Sequence, residues 1–357
     1  MTKPPIPGSQ ADTLRPTLEA VAALAGVSRA TVSRVVNGGA GVRAELRDKV
    51  QRAVEELGYV PNLAARTLVT RRNGAVAVVI AEPEDRVFSD PFFAQQLRGI
   101  SKELSAADCQ LVLLLVADRK DYERVGRYLA GSHVDGALLF SLHGDDPLPA
   151  MTKKSGLPTV FGGRPGWLGG ETDASVLYVD SDNRGGGRLA AQYLLDRGCR
   201  RIATITGPMD QTSAMDRLDG WRDALIDAAD PELVECGDFT PEGGGRAMAA
   251  LLARRPDLDA VFVASDLMAS GALYVLREKG RRVPEDVAVV GFDDVESVAQ
   301  WTDPPLTTIR QEIEGMGRIM ARLLLRRLGA EGSDPAAVIG TQSSVITGTR
   351  LVVRASA

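Results

Sequence analysis

Polar side chains at the front of a short helix, able to enter a groove of DNA, are the first chemistry this chain offers. In Gly26-Val27-Ser28-Arg29-Ala30-Thr31-Val32-Ser33-Arg34 a glycine turn separates two short helical patterns, the layout that a helix-turn-helix requires. Ser28 is placed to cap the second helix and Val27 and Val32 to pack inward; Arg29, Ala30, Ser33 and Arg34 are left facing out. Arg34 can present two parallel N–H donors to a guanine edge, a contact that discriminates between bases by roughly 1–3 kcal/mol. A second candidate is Asp90-Pro91-Phe92-Phe93, just beyond an apolar β-branched run. There the paired rings of Phe92 and Phe93 can pack on a ring-shaped ligand.

Other chemistries are poorly supplied. The chain has two histidines, His133 and His143, and lacks any GxSxG, HExxH or Walker-type run. Gly185-Gly186-Gly187 does not have dinucleotide-binding spacing. Asp293 and Asp294 are adjacent, which reads as one ligand contact beside one cap rather than a catalytic dyad. Cys109, Cys199 and Cys236 lie far apart without CxxC spacing, so neither a disulfide framework nor a zinc site is expected. The expectation is a protein that is not an enzyme and carries no metal or other cofactor.

The net charge of −5 conceals an asymmetry. Residues 1–73 carry 11 Lys/Arg against 6 Asp/Glu, leaving 31 against 41 for the remainder. A small basic module can contact phosphates without the whole chain being basic. Met1–Asp12 lacks an apolar run or small-residue cleavage site, and nowhere do about 18 apolar residues follow one another. Export and membrane insertion are not expected, and the place of action is expected to be the cytoplasm.

The elements that must hold these residues follow from periodicity. Residues 1–15, with three prolines, read as a disordered extension. From Pro16 three short helices are predicted: one with Leu18, Val21, Ala22 and Ala25 on one face, one starting at Ser28, and one from about Arg43 to Leu57. Asn62–Val69 is helical in propensity but only about two turns long, too short to stand alone. Beyond Gly74, apolar runs at Ala75–Ile80, Leu111–Val116, Gly136–Phe140, Thr159–Phe161, Val176–Val179, Ile202–Thr206, Ala260–Val263 and Val287–Val290 alternate with helical patterns. Such alternation implies an α/β fold with parallel sheets covered on both faces, here two doubly wound lobes with a cleft at the strand carboxyl ends.

The runs TLEAVAALAGVSRATVSRVVNG, LGYVPNLAARTL, ASDLMASGAL, VVGFDD and PPLTTIRQ, in this order from about Pro16 onward, resemble the lactose/galactose repressor (LacI/GalR) family of bacterial transcription regulators. The resemblance implies a three-helix headpiece over 16–61, a hinge helix and linker over 62–73, and a ligand-binding and dimerisation domain of periplasmic-binding-protein type over 74–357. Its first lobe would span about 74–176 and 309–338, and its second about 177–308 and 339–357. It also implies a homodimer on a pseudo-palindromic operator of double-stranded DNA, with Arg29 and Ala30 as specificity pair, Arg34 as guanine reader, and Thr31, Ser33 and Asn37 on phosphates. Asn62, Ala65, Arg66 and Leu68 match the hinge, in which paired leucines wedge into the minor groove and kink the duplex.

For the ligand, the resemblance makes Arg217 an anchor for ligand oxygens and Asp293 an acceptor for hydroxyls or ring nitrogens. Phe239 matches an aromatic platform, Ser265 a small polar contact and Gln311 a polar residue that approaches the ligand. At Gly163 the chain departs from the acidic residue common in the family. The resemblance favours a sugar effector, with a purine or nucleoside next. A solute-binding protein of transport is disfavoured, because it would require a signal peptide and would not need residues 16–70. The C-terminal run Leu351–Ala357 has no leucine heptad, so a tetramer held by a terminal coiled coil is not expected.

Overall fold

A computed structural model describes residues 16–36, 41–60, 72–168, 173, 175–226, 229–329 and 344–357. The chain divides into two units, 1–73 and 74–357. Asn37, Asn62, Ala65, Arg66 and Leu68 lie outside the described residues.

The small unit is built from α1 (Leu18–Ala25), α2 (Arg29–Val36) and α3 (Ala44–Leu57). Thr17 caps α1 by accepting from the Ala20 amide at 3.2 Å. Gly26 ends α1 in the left-handed region at φ 67, a conformation that glycine adopts without steric cost. Val21, Val32, Val50 and Ala53 bring the three apolar stripes together, and Tyr59, after α3, closes the same core.

The large unit holds two six-stranded sheets. In the first, β1 (Ala75–Ile80), β2 (Gln110–Leu115), β3 (Gly136–Phe140), β4 (Thr159–Gly162), β5 (Leu177–Ser181) and β11 (Ser344–Thr347) run parallel in the order β11-β5-β4-β3-β1-β2. In the second, β6 (Ile202–Thr206), β7 (Val234–Cys236), β8 (Ala260–Val263), β9 (Ala288–Asp293), β10 (Thr307–Arg310) and β12 (Arg350–Val352) are ordered β12-β10-β9-β8-β6-β7. Of these only β12 is antiparallel to its neighbour. Separate apolar clusters cover the two faces of the first sheet, and a larger one fills the second lobe.

The chain changes lobe after β5, after β10 and after β11. This corrects the expected boundaries: 177–181 and 344–347 belong to the first sheet, and strand β10 keeps 309–310 in the second. Periodicity marks a strand but not its partner, and partner choice decides the lobe. Strands β7, β10, β11 and β12 also escaped the sequence reading, being only three or four residues long.

The triple glycine 185–187 has a packing role. It opens α8 (Asn183–Asp196), which crosses closely over α9 (Thr212–Leu225). A Cβ at Gly187 would stand 2.3 Å from the Arg217 carbonyl oxygen, and one at Gly220 would stand 2.0 Å from that of Arg184. Backbone contacts of this kind cannot yield without moving a helix. Gly187→Ala is therefore expected to cost roughly 1–3 kcal/mol by overpacking, read as a lower midpoint in urea unfolding.

Candidate functional site

In the small unit, α2 starts as its first residues dictate. Ser28 Oγ accepts from the Thr31 amide at 3.2 Å and lies 2.9 Å from Thr31 Oγ1, satisfying one of the open donors of the first turn. Val32 is sealed in the core, whereas Arg29, Ala30 and Arg34 are exposed and Thr31 and Ser33 half-buried. Arg29 pairs with Glu19 of α1 at 3.1 Å; both side chains are largely in solvent, so the pair is weak and Arg29 is easily released. Arg29 and Ala30 in the first turn of α2 and Arg34 in its last turn form one exposed outward face, suited to a groove of DNA.

In the large unit, the carboxyl ends of both sheets converge on a cleft that is partly open to solvent. All seven residues expected at a ligand, Phe92, Phe93, Arg217, Phe239, Ser265, Asp293 and Gln311, line it. Their surroundings separate their capacities. Asp90 caps α5 (Pro91–Ala106) by accepting from the Phe92 amide at 2.9 Å, and this sets both rings at the rim. Phe93 is 1% exposed and stacks on Phe140 at 6.2 Å between centroids, so it is mostly core; Phe92 is half-buried and has the more open ring.

Arg217 projects from α9. Its Nε donates to Asn183 Oδ1 at 2.9 Å, Nη1 reaches the Ala264 carbonyl, and the guanidinium lies 3.6 Å from the centre of the Phe292 ring. Asp293 ends β9 with φ 112, followed by Asp294 at φ 54. Such backbone costs on the order of 1–3 kcal/mol for non-glycine residues and persists only where the surroundings enforce it. Enforcement comes through Asp294, fully buried and held by Arg310 and, at 2.6 Å, by Arg354. The result aims Asp293 Oδ1 at the cleft, 3.6 Å from Arg217 Nη1.

Burial pushes the Asp293 carboxyl upward against the pull of Arg217, and burial together with the Asp293 charge raises Asp266 well above the usual range. Ser265 caps α11 (Asp266–Glu278) through the Met268 amide at 3.2 Å and keeps its O–H available to donate. Gln311 is less available than expected, since its Nε2 donates to Asp293 at 2.6 Å and its Oε1 accepts from Ser181. Phe239 is also less open than a platform should be: Arg86 of the other lobe lies over its ring at 5.2 Å.

Several cleft residues escaped the sequence reading. Asp180 and Asn183, at the first crossover, are buried and joined at 2.9 Å. Burial pushes Asp180 up to about 6. Trp167 stands at the mouth, edge-on to Phe161 at 5.3 Å. A polar group spans the two lobes: Gln211 donates to Glu82 at 3.0 Å, His143 Nδ1 to Asp210 at 2.8 Å, and Arg164 forks onto Asp216 at 2.7 and 2.9 Å. Except for Trp167 and Asp216, these residues lie at or just beyond strand ends, where ligands of open α/β sheets sit, and that placement is the clue that could have found them. Among the described residues no group of three or more His, Cys, Asp or Glu could hold a metal, and no helix is long and apolar enough to cross a membrane.

Fold and site define a class: a helix-turn-helix module and a two-lobed ligand-binding domain in one chain, which is the build of a ligand-responsive transcription regulator. Residues 17–62 match the bacterial regulatory proteins of the lacI family, and residues 191–357 the periplasmic binding protein-like domain. The chain is 54% identical over 328 residues to the HTH-type transcriptional regulator CelR of Thermobifida fusca, covering 91% of this chain and 95% of that protein. It is 36% identical over 318 residues to the ribose operon repressor of Escherichia coli, covering 87% and 93%.

Among solved structures, it aligns with a complex of the transcriptional regulator CelR with cellobiose at a TM-score of 0.74 and 50% identity, over 96% of this chain and 100% of that one. It aligns with the Lac repressor dimer bound to operator and the anti-inducer ONPF at a TM-score of 0.80 and 27% identity, over 96% and 99%. The chain belongs to the lacI family of bacterial regulatory proteins. It is a DNA-binding transcription regulator, not an enzyme.

The lobe-spanning histidine makes the large unit sensitive to alkaline pH. Its bond to Glu82 and, next, that to Asp210 raise His143 to about 9 from an ordinary 6.5, against the opposing effect of burial. Because the folded value is the higher, its stabilisation is complete below about 6.5 and is lost as pH rises through about 9. The melting-temperature difference between wild type and His143→Gln is expected to hold below about pH 6.5 and to shrink progressively between about pH 6.5 and 9.

Proposed function

We propose that this protein is a cytoplasmic repressor that binds a pseudo-palindromic operator as a homodimer and is controlled by a β-linked glucose disaccharide of the cellobiose type. The cleft carries this reading. It is open to solvent on one side and carries both ring surface and polar groups from the two lobes, the mixture that small-molecule sites use to bind and orient a ligand. Phe92 and Trp167 offer apolar ring surface for the C–H faces of sugar rings. Arg217, Asn183, Asp180, Asp293 and Ser265 offer fixed donors and acceptors for hydroxyls. The likeness to a regulator solved with cellobiose supports the same choice.

On DNA, Arg29 and Ala30 form the specificity pair, Arg34 reads a guanine, and Thr31, Ser33 and Asn37 hold phosphates. The segment 62–68, with Asn62, Ala65, Arg66 and Leu68, supplies the minor-groove contact. Ligand and operator affinities are then reciprocally coupled.

Selection of bound sequences from a random duplex pool at fixed salt, followed by titration of cellobiose, lactose, glucose, ribose and hypoxanthine against the selected site, tests the reading. A two-fold-symmetric site whose affinity cellobiose changes at least about tenfold, within the usual 5–150-fold range of allosteric coupling, is the expected result. A response to hypoxanthine alone would move the ligand to the purines, and a pool without enrichment would remove the operator.

Two variants separate the sites. Arg34→Ala is expected to lose about 1–3 kcal/mol of discrimination at one symmetric base pair per half-site, measured by competition between operators differing only there. Arg217→Ala is expected to bind the operator normally and to ignore the ligand; an unchanged response would take Arg217 out of the ligand site.

A further inference from the structure

One polar group in the cleft wall takes no part in the networks above. Gln96 lies on α5 one turn beyond Phe92, and residues four apart share a helix face. It is 1% exposed and lines the cleft together with Phe93, Phe140 and Met316, all apolar. Its Oε1 has no hydrogen-bond partner among the described residues. The residue cannot easily turn away. A Cβ at Gly317 would stand 2.3 Å from the Gln96 carbonyl oxygen, so α13 (Ile313–Arg327) is pressed against α5 at this point.

A buried amide left unpaired costs roughly 1–3 kcal/mol, and native structures leave few such groups. Among the described residues three other buried side-chain atoms lack a partner: Arg86 Nε, Thr204 Oγ1 and Trp221 Nε1. Thr204 and Trp221 are away from the cleft, and the Arg86 guanidinium is already held by Glu82 at 2.6 Å. Gln96 is thus an uncharged, unsatisfied group in the lining of the cleft.

We infer that Gln96 is a specificity-determining residue whose amide hydrogen-bonds a hydroxyl of the effector against the first lobe. This rests on the sugar reading of the cleft. An amide carries both a donor and an acceptor, and a hydroxyl can answer either, whichever way the amide is turned. A site built to bond a hydroxyl rejects the analogue that lacks it, because the protein group is then left unpaired.

The test uses the full chain with Gln96→Met, close in volume, and Gln96→Leu as a second variant. Melting is recorded without ligand, and cellobiose and its monodeoxy analogues are titrated by calorimetry. Removing an unpaired amide is expected to leave ligand-free melting unchanged or raised. The Kd for cellobiose is expected to rise roughly 10- to 100-fold, while one monodeoxy analogue binds wild type and variant alike. Lower ligand-free melting with an unchanged Kd in both variants makes Gln96 a structural residue and overturns the inference.

If wild type binds ribose or hypoxanthine but not cellobiose, the disaccharide reading fails by itself. The same variants titrated with that ligand then decide Gln96: a raised Kd upholds its role and an unchanged one overturns it. A wild type that binds none of these ligands overturns both readings.

Discussion

An arginine and an aspartate, both nearly sealed from water at the seam between two lobes, set the terms for the rest of the large unit. Burying such charges costs several kcal/mol each unless hydrogen bonds replace the lost water. The replacements come from every side. Asn183 at the start of α8, the Ala264 carbonyl after β8 and the Phe292 ring of β9 hold Arg217. Gln311, from the second crossover, holds Asp293. Each of these partners is itself fixed, Asn183 by Asp180 and Gln311 by Ser181. The charges are tolerable only with the strand ends and crossovers in this arrangement, so the site and the lobe seam are one structure.

That economy has a functional consequence. A ligand can shift lobe geometry only through a difference in its affinity for two arrangements. Arg217 and Asp293 belong to the second lobe, while the bonds from Gln311 and Asn183 run to Ser181 and Asp180 at the end of a first-lobe strand. A hydroxyl that competes for Asp293 or Arg217 therefore perturbs bonds that tie the lobes together. Farther out, the Arg164–Asp216 and His143–Asp210 pairs hold the cleft walls from the rim. The glycines 187 and 220 bring α8 and α9 so close that Arg217 cannot shift without its helix.

Legibility in the sequence followed locality. Gly26, Ser28 and Val32 act within one turn of themselves, and the turn, cap and packing around them were readable without a fold. The longer strands declared themselves by apolar runs. Short strands such as β7 and β12 did not, because three residues carry no period. The lobe boundaries were misplaced at 177 and 339 because the pairing of β5 with β4 and β11 is a long-range choice. Resemblance to a family brought seven residues to one cleft, but it did not distinguish Phe92, half-open, from Phe93, buried. Nor did it find Asp180, Asn183 or Gln96, whose roles exist only through neighbours distant in sequence.

By itself the sequence determined the class of the molecule: a basic helix-turn-helix ahead of an alternating α/β domain, with no catalytic apparatus in its motifs. Those properties reside in residue types, short spacings and charge along the chain, which need no third dimension. Only the tertiary structure decided which sheet each crossover strand joins, which of two neighbouring rings faces the cleft, and which buried amide lacks a partner. The physical reason is that burial and hydrogen-bond satisfaction are sums over everything within a few ångströms, and most of those neighbours are dozens of residues away along the chain.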